Sequence, residues 1–253
     1  MELSIEILTF LFFVALIASF IDAIAGGGGL LTIPALLSVG IPPAMVLGTN
    51  KLQSCAGAFS ASLYFIRKKA IDFKQIKWIL LLSFLGGSAG TILVQNIDVN
   101  ALKNILPFLI LVIAIYFLFS PKLGDEDRKQ RIGLTLFGFT VAIGLGFYDG
   151  LFGPATGSFL TLAFVSLLGF NLSKAVAHAK ILNFASNLAA LLFFILGGVV
   201  IWKVGFIMMI GQIIGGNLGA RMVVTKGKKL IRPLIVTISL LMVAKMLWEQ
   251  GYF

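Results

Sequence analysis

Cysteine and histidine are almost absent from this chain, which has one of each, Cys55 and His178, in 253 residues. A lone cysteine excludes internal disulfides and any cysteine metal cluster, and a lone histidine excludes a multi-histidine site. No metal and no cofactor is therefore expected. Charge is scarce too, at 12% of residues, and acids are scarcer than bases, 10 against 20, so the net charge is +10. Long polar stretches are missing except for Pro121 to Arg131, and no appended soluble domain is expected at either end. What fills the chain is apolar, at 59% of residues. A soluble domain of this length could not hide that much apolar surface. Apolar runs of about 20 residues recur, long enough to cross a hydrocarbon layer roughly 30 Å thick. The fold expected is all-α, a polytopic helical membrane protein with the lipid bilayer as its surroundings.

The chain also repeats itself. Gly40 to Gly90 aligns without a gap on Gly169 to Gly219 at an offset of 129. Only 11 of the 51 positions are identical, but the register matches Lys51 with Lys180, Lys74 with Lys203 and Gly86-Gly87 with Gly215-Gly216. Breakers divide each half into about five hydrophobic segments. These run over 5–24, 29–41, 43–66, 74–95 and 101–120, then 132–150, 156–169, 172–197, 201–220 and 230–248. The organisation expected is a first transmembrane repeat over 1–120, a cytoplasmic linker over 121–131 and a second repeat over 132–253. The first apolar run ends in Ala23-Ile24-Ala25 like a signal peptide, but Glu2 and Glu6 have the wrong charge for one. A matching segment in the second half marks it as structural.

Cytoplasmic loops are enriched in Lys and Arg. With five crossings per half and the N-terminus outside, the basic groups Arg67–Lys69, Lys122–Arg131 and Arg221–Arg232 all fall on the inner side. Arg67-Lys68-Lys69 aligns with uncharged Leu196-Gly197-Gly198, and the weakly charged loop at Lys103 aligns with basic Lys226 to Arg232. Equivalent loops of opposite bias indicate an inverted-topology duplication, an architecture of secondary transporters whose sites lie near mid-membrane. The positive charge is thus a topology signal, and a nucleic-acid partner is not expected.

Within the apolar segments few ionisable residues remain: Asp22, Lys51, Asp149, His178 and Lys180. Such residues usually face a cavity or a partner. Lys51 shares a helical face with Ser54, Ala58 and Ser62, and Lys180 shares one with Asn183 and Asn187. An ammonium among small and amide side chains suits an oxyanion. Alternatively, each lysine snorkels to an interface or forms a structural ion pair with an aspartate. The tracts Asp22 to Gly29 and Asp149 to Gly157 are glycine breaks at corresponding places. Helices that restart after them can aim backbone N–H groups and a positive dipole end at an anion. Discontinuous helices at matching places point to a transport site. For Gly86-x-x-x-Gly90 and Gly215-x-x-x-Gly219, close helix packing is the expected role. Asp22 and Asp149 precede the breaks and are read as capping groups, ion-pair partners or carriers of a coupling proton. His178 lies on a different helical face from Lys180 and is read as structural.

The run DAIAGGGG (Asp22–Gly29), followed by LLTIP (Leu30–Pro34), GIPP (Gly40–Pro43) and LGTNKL (Leu47–Leu52), resembles the sulfite exporter TauE/SafE family of membrane permeases. The second half looks like a weaker copy, in which Ala177-His178-Ala179-Lys180 replaces the usual threonine- or serine-containing form. The resemblance implies transport of sulfite, organosulfonates or related sulfur oxyanions across the bacterial cytoplasmic membrane. The site expected is made of Thr49, Asn50, Lys51, Ser54, Gly28 and Gly29 from one half and Lys180, Asn183, Asn187, Thr156 and Gly157 from the other. Asp22 and Asp149 stand beside it as coupling or ion-pair residues. The mechanism expected is alternating access, one repeat rocking on the other around a small anionic substrate, with a proton or another ion as the coupling partner. Two alternatives are a passive anion channel and an intramembrane aspartic protease built on Asp22 and Asp149. The second lacks a Gly-x-Gly-Asp signature.

Overall fold

The structure is a computed structural model that describes residues 3–98 and 129–226. The expected segments 101–120 and 230–248, and nearly all of the linker, lie outside the described residues. Regular structure among those residues is helical. The first half gives α1 (Ile5–Ala25), α2 (Gly29–Ser38), α3 (Pro43–Arg67) and α4 (Phe73–Gln95). The second gives α5 (Leu134–Leu151, with a π turn at Gly138–Ala142), α6 (Thr156–Leu167), α7 (Leu172–Leu196) and α8 (Trp202–Lys226).

Local chemistry sets these bounds. α1 stops where Gly26 turns left-handed at φ 82° and its N–H bonds back to the Asp22 carbonyl. α3 starts on Pro42-Pro43, with proline at the first helical positions where a missing N–H is harmless. The side chains of Asp72 and Asn171 cap α4 and α7 by accepting the N–H of Lys74 and Lys174, both at 3.0 Å.

Among the described residues α1, α4, α5, α7 and α8 are long and apolar enough to cross a membrane. α3 equals α7 at 25 residues, about 37 Å at 1.5 Å per residue, but its polar stripe lowers its apolarity. α2 and α6 have 10 and 12 residues, about 15 and 18 Å, so as helices they cover only half of a membrane. α2 and α6 end at Ser38 and Leu167, just before the left-handed glycines Gly40 (φ 79°) and Gly169 (φ 73°), short of the 29–41 and 156–169 expected from hydropathy. Burial is inverted relative to a soluble protein: Phe10, Phe13 and Ile17 of α1 and Trp78, Leu81 and Leu85 of α4 face outward. Thr49, Asn50, Lys51, Asp149, Lys180 and Asn187 are buried.

The contacts that glycines allow give the direction of each helix. Gly211, Gly215 and Gly219 of α8 lie against the backbone of Phe12, Leu16 and Phe20 of α1, in the same order. Gly86 and Gly90 of α4 lie against Ile143, Phe147 and Leu151 of α5, again in order. Gly205 of α8 meets Leu52 and Gly216 meets Gly57, so α8 is also parallel to α3. Ser83 bonds to the Leu182 carbonyl and Gly87 abuts Ser186, so α4 is parallel to α7. Gly48, near the start of α3, touches Val199, just past the end of α7, so α3 and α7 are antiparallel.

Two three-helix bundles result, α1–α3–α8 and α5–α7–α4, running in opposite directions. Each takes two of its helices from one half and the third from the other. Equivalent helices point opposite ways, which is the inverted duplication read from the sequence. The expected packing role of Gly86, Gly90, Gly215 and Gly219 is also what these contacts show. Because α1 and α3 point the same way, α2 and its flanking turns carry the chain back between them.

Two apolar clusters close the ends of the molecule. One gathers Leu11, Ile33, Leu47 and Phe194, and the other Phe65, Phe137, Phe164 and Leu172. The polar residues lie between them.

Candidate functional site

Both lysines are buried, each about 1% exposed, and each is paired with the aspartate of the opposite half. Lys51 Nζ lies 2.8 Å from Asp149 Oδ1, and Lys180 Nζ lies 2.6 Å from Asp22 Oδ2. Snorkelling is therefore excluded. The ammonium groups stay in the interior because a carboxylate meets them there. Each pair also crosses between the two bundles, α3 to α5 and α1 to α7.

The glycine breaks bring these groups together. Gly26 packs on Gly157 and Ser158, and Gly29 packs on Pro154, so the starts of α2 and α6 cross face to face. Gly153, left-handed at φ 93°, leaves room for Lys51, whose Nζ lies 2.6 Å from where a Cβ would stand. Gly157 does the same for Lys180, at 3.1 Å. Each aspartate sits at the start of a short helix. Asp22 Oδ1 accepts the Gly28 N–H at 3.1 Å, and Asp149 Oδ1 accepts the Thr156 hydroxyl at 3.1 Å. At both places an ammonium and a helix N-terminus converge on a carboxylate, the arrangement that holds anions.

The two aspartates are not equally held. Asp149 Oδ2 also accepts from Ser186 at 2.6 Å and from Asn183 at 3.3 Å, so four donors surround that carboxylate. Asp22 has two, and its side chain is 21% exposed against 1% for Asp149. The carboxylates bond to lysines and not to one another, so Asp22 and Asp149 do not form a protease dyad sharing a proton.

Between the pairs lies a cavity of about 20 Å³, room for roughly one water-sized particle. Of the expected site residues, Asn50, Lys51 and Ser54 of α3 line it, as do Gly28 and Gly29, Gly157, and Asn183 and Asn187 of α7. Asp22 and Asp149 line it too. Lys180 stands behind Asp22, and Thr156 bonds to Asp149 and to the Gly153 carbonyl. Thr49 points elsewhere, its hydroxyl accepting the Ile201 N–H at 3.0 Å ahead of α8.

The repeat-related bond explains the departure at His178. Its Nε2 accepts the Asp72 N–H at 3.4 Å while Nδ1 donates to the Lys174 carbonyl at 2.8 Å. Asp72 and Ile201 are equivalent positions, so an imidazole does in one half what a hydroxyl does in the other.

Sequence reasoning missed an amide network. Asn50 Oδ1 accepts from Thr32 at 2.6 Å and from Gln53 at 2.8 Å, which leaves its Nδ2 donor to the cavity. Gln53 accepts in turn from Gln212 of α8 at 2.7 Å, and Gln212 also lines the cavity. Gln212 is an amide amid an apolar run, a signal that was available. Ser186, a ligand of Asp149, carried none.

The sulfite exporter TauE/SafE family model matches residues 11–246. A probable membrane transporter protein of Haemophilus influenzae is 62% identical over 253 residues, covering 100% of this chain and 99% of that protein. The probable membrane transporter protein YfcA of Escherichia coli K12 is 54% identical over 240 residues, 95% of this chain and 89% of its own length. YunE of Bacillus subtilis, also a probable membrane transporter protein, is 23% identical over 263 residues, covering 94% and 96%. No solved structure matches. With a polar, ion-paired centre inside apolar helices and a family match over nearly its whole length, this chain is a multi-pass membrane permease and belongs to the sulfite exporter TauE/SafE family.

Proposed function

We propose that this permease carries a small sulfur oxyanion, sulfite or an organosulfonate, across the bacterial cytoplasmic membrane by alternating access. The supporting observation is the pair of buried lysines, each facing a carboxylate at a helix N-terminus. Those carboxylates occupy positions built for an anion, and a substrate oxyanion competes for the same donors. The Asn50 and Asn183 amides and the Ser54 hydroxyl supply neutral donors around them. The cavity of about 20 Å³ is bordered by closed ion pairs and is not an open pore, so on this reading loading parts the ion pairs. That favours a carrier over an open channel. The ends of the bundles suit an N-terminus outside: the start of α1 and the Arg67–Lys69 turn lie at opposite ends, and basic turns face the cytoplasm.

The test is counterflow of radiolabelled sulfite, thiosulfate, sulfate and methanesulfonate in proteoliposomes. At least one should show saturable trans-acceleration. Lys51→Ala and Lys180→Ala should lower it by about 10–100-fold, the value of a charge-assisted hydrogen bond, and Lys68→Ala on the exposed turn should not. Flux without trans-acceleration would indicate a channel, and equal loss in all three variants would move the site elsewhere.

A further inference from the structure

Resting on that anion-carrier reading, we propose that Asp22 is a proton site that couples transport. When an anion takes Lys180, the displaced Asp22 carboxylate binds a proton, and anion and proton cross together. Asp149 stays bonded to Lys51 throughout.

The charge balance of the cavity leads to this. Among the described residues the cavity is bordered by Lys51, Asp22 and Asp149, with Lys180 behind Asp22, and these two ion pairs sum to zero. A monoanion added to that neutral, membrane-enclosed space would be uncompensated, which is strongly disfavoured. A proton taken up at the same time restores neutrality. The step balances: ionised Asp22 on protonated Lys180, plus an anion and a proton, gives neutral Asp22 and the anion on protonated Lys180.

The surroundings choose which carboxylate titrates. Asp149 is bonded to Lys51, Thr156, Asn183 and Ser186, so it keeps three partners if one is displaced. Among the described residues Asp22 is bonded by the Gly28 N–H besides Lys180, and its side chain is the exposed one of the two. Loss of Lys180 to an anion therefore halves its coordination and leaves an oxygen open to the cavity.

Among the described residues few ionisable groups face it. α7 presents Lys180, while Lys51 from α3 and Asp149 from α5 stand across the cavity. α8 contributes Gln212, and α2 and α6 hold no ionisable residue. His178, on α7 as well, is turned away onto Lys174, Asp72 and the rings of Phe164 and Phe170.

The experiment uses the full chain and methanesulfonate, which carries no proton near neutral pH. Binding to the purified protein is measured across pH, and in proteoliposomes methanesulfonate uptake is followed with a pH-sensitive dye inside. One linked proton predicts that wild-type affinity rises about tenfold per unit fall in pH, with proton entry matching anion entry. In Asp22→Asn the affinity should become independent of pH, which binding reports even where uptake is lost. In Asp22→Glu, which keeps a carboxylate at that place, the pH slope should persist. Methanesulfonate uptake with no proton entry in the wild type overturns the proton site and leaves the carrier intact. A pH slope surviving in Asp22→Asn does the same. Absence of binding and flux for methanesulfonate and for the other three anions overturns the anion reading itself.

Discussion

At the residue scale, the two ion pairs are related by the duplication but differ in what they have to stabilise. Lys51–Asp149 is about 1% exposed on both sides, whereas Asp22 reaches 21%. Removing one partner of a fully buried pair strands a charge and costs about 3–5 kcal/mol. Lys51→Met should accordingly lower thermal stability in detergent much more than Lys180→Met, which strands a partly exposed carboxylate. Adding Asp149→Asn to Lys51→Met should recover most of the loss without restoring transport. A double variant no more stable than the single would show that Lys51 acts through packing and not through charge. These lysines were legible in the sequence because a charge inside an apolar run stands out. Asp22 and Asp149 were legible as ion-pair candidates too, but which lysine each one meets was not, because internal alignment reveals which residues are equivalent and not which ones touch. Lys51 aligns with Lys180, yet it bonds to a residue 98 positions away in the other half. Ser186 and Gln53 stayed hidden for a related reason: a hydroxyl or amide on a helix has many uses until the facing helix is known.

At the scale of elements, glycine decides which helices approach closely. A Cβ at Gly90 would run into the Phe147 carbonyl, and one at Gly86 into that of Ile143. Gly144, on another side of α5, has nothing within 4 Å. Gly90→Ala should thus push α4 off α5 and destabilise the protein by about 1–3 kcal/mol, the usual cost of overpacking. Gly144→Ala should be neutral or slightly stabilising through helix propensity. Thermal unfolding of the two variants side by side checks this, and equal values would mean that α4 and α5 do not pack through Gly90. The helix existence and the glycine breaks were readable from hydropathy and from the tracts themselves. The short reach of α2 and α6 was less so, since apolar residues continue past the points where the helices end. The π turn at Gly138–Ala142 left no sequence mark, because the equivalent stretch of α1 is just as apolar and remains an ordinary helix.

At the scale of the whole molecule, duplication suggests that one half moves on the other, but the packing does not follow the sequence halves. The glycine contacts bind α8 to α1 and α3, and α4 to α5 and α7. The ion pairs, in contrast, run from one bundle to the other. On the proposed alternating access, the bodies expected to separate are therefore the two mixed bundles. Two cross-links distinguish this from rocking of halves. Phe59 of α3 and Phe184 of α7 have ring centroids 5.4 Å apart and lie in different bundles. Ser60 of α3 donates to the Ile213 carbonyl of α8 at 2.8 Å, and these two belong to different halves but to one bundle. In a Cys55→Ala background, a thiol cross-linker joining Phe59→Cys to Phe184→Cys should arrest counterflow, while Ser60→Cys joined to Ile213→Cys should leave most of it. Motion of half against half requires both links to arrest it, because both join the first half to the second. The second cross-link alone thus separates the two mechanisms: transport that survives it assigns α8 to the α1–α3 body, and transport that stops returns the moving boundary to the sequence halves.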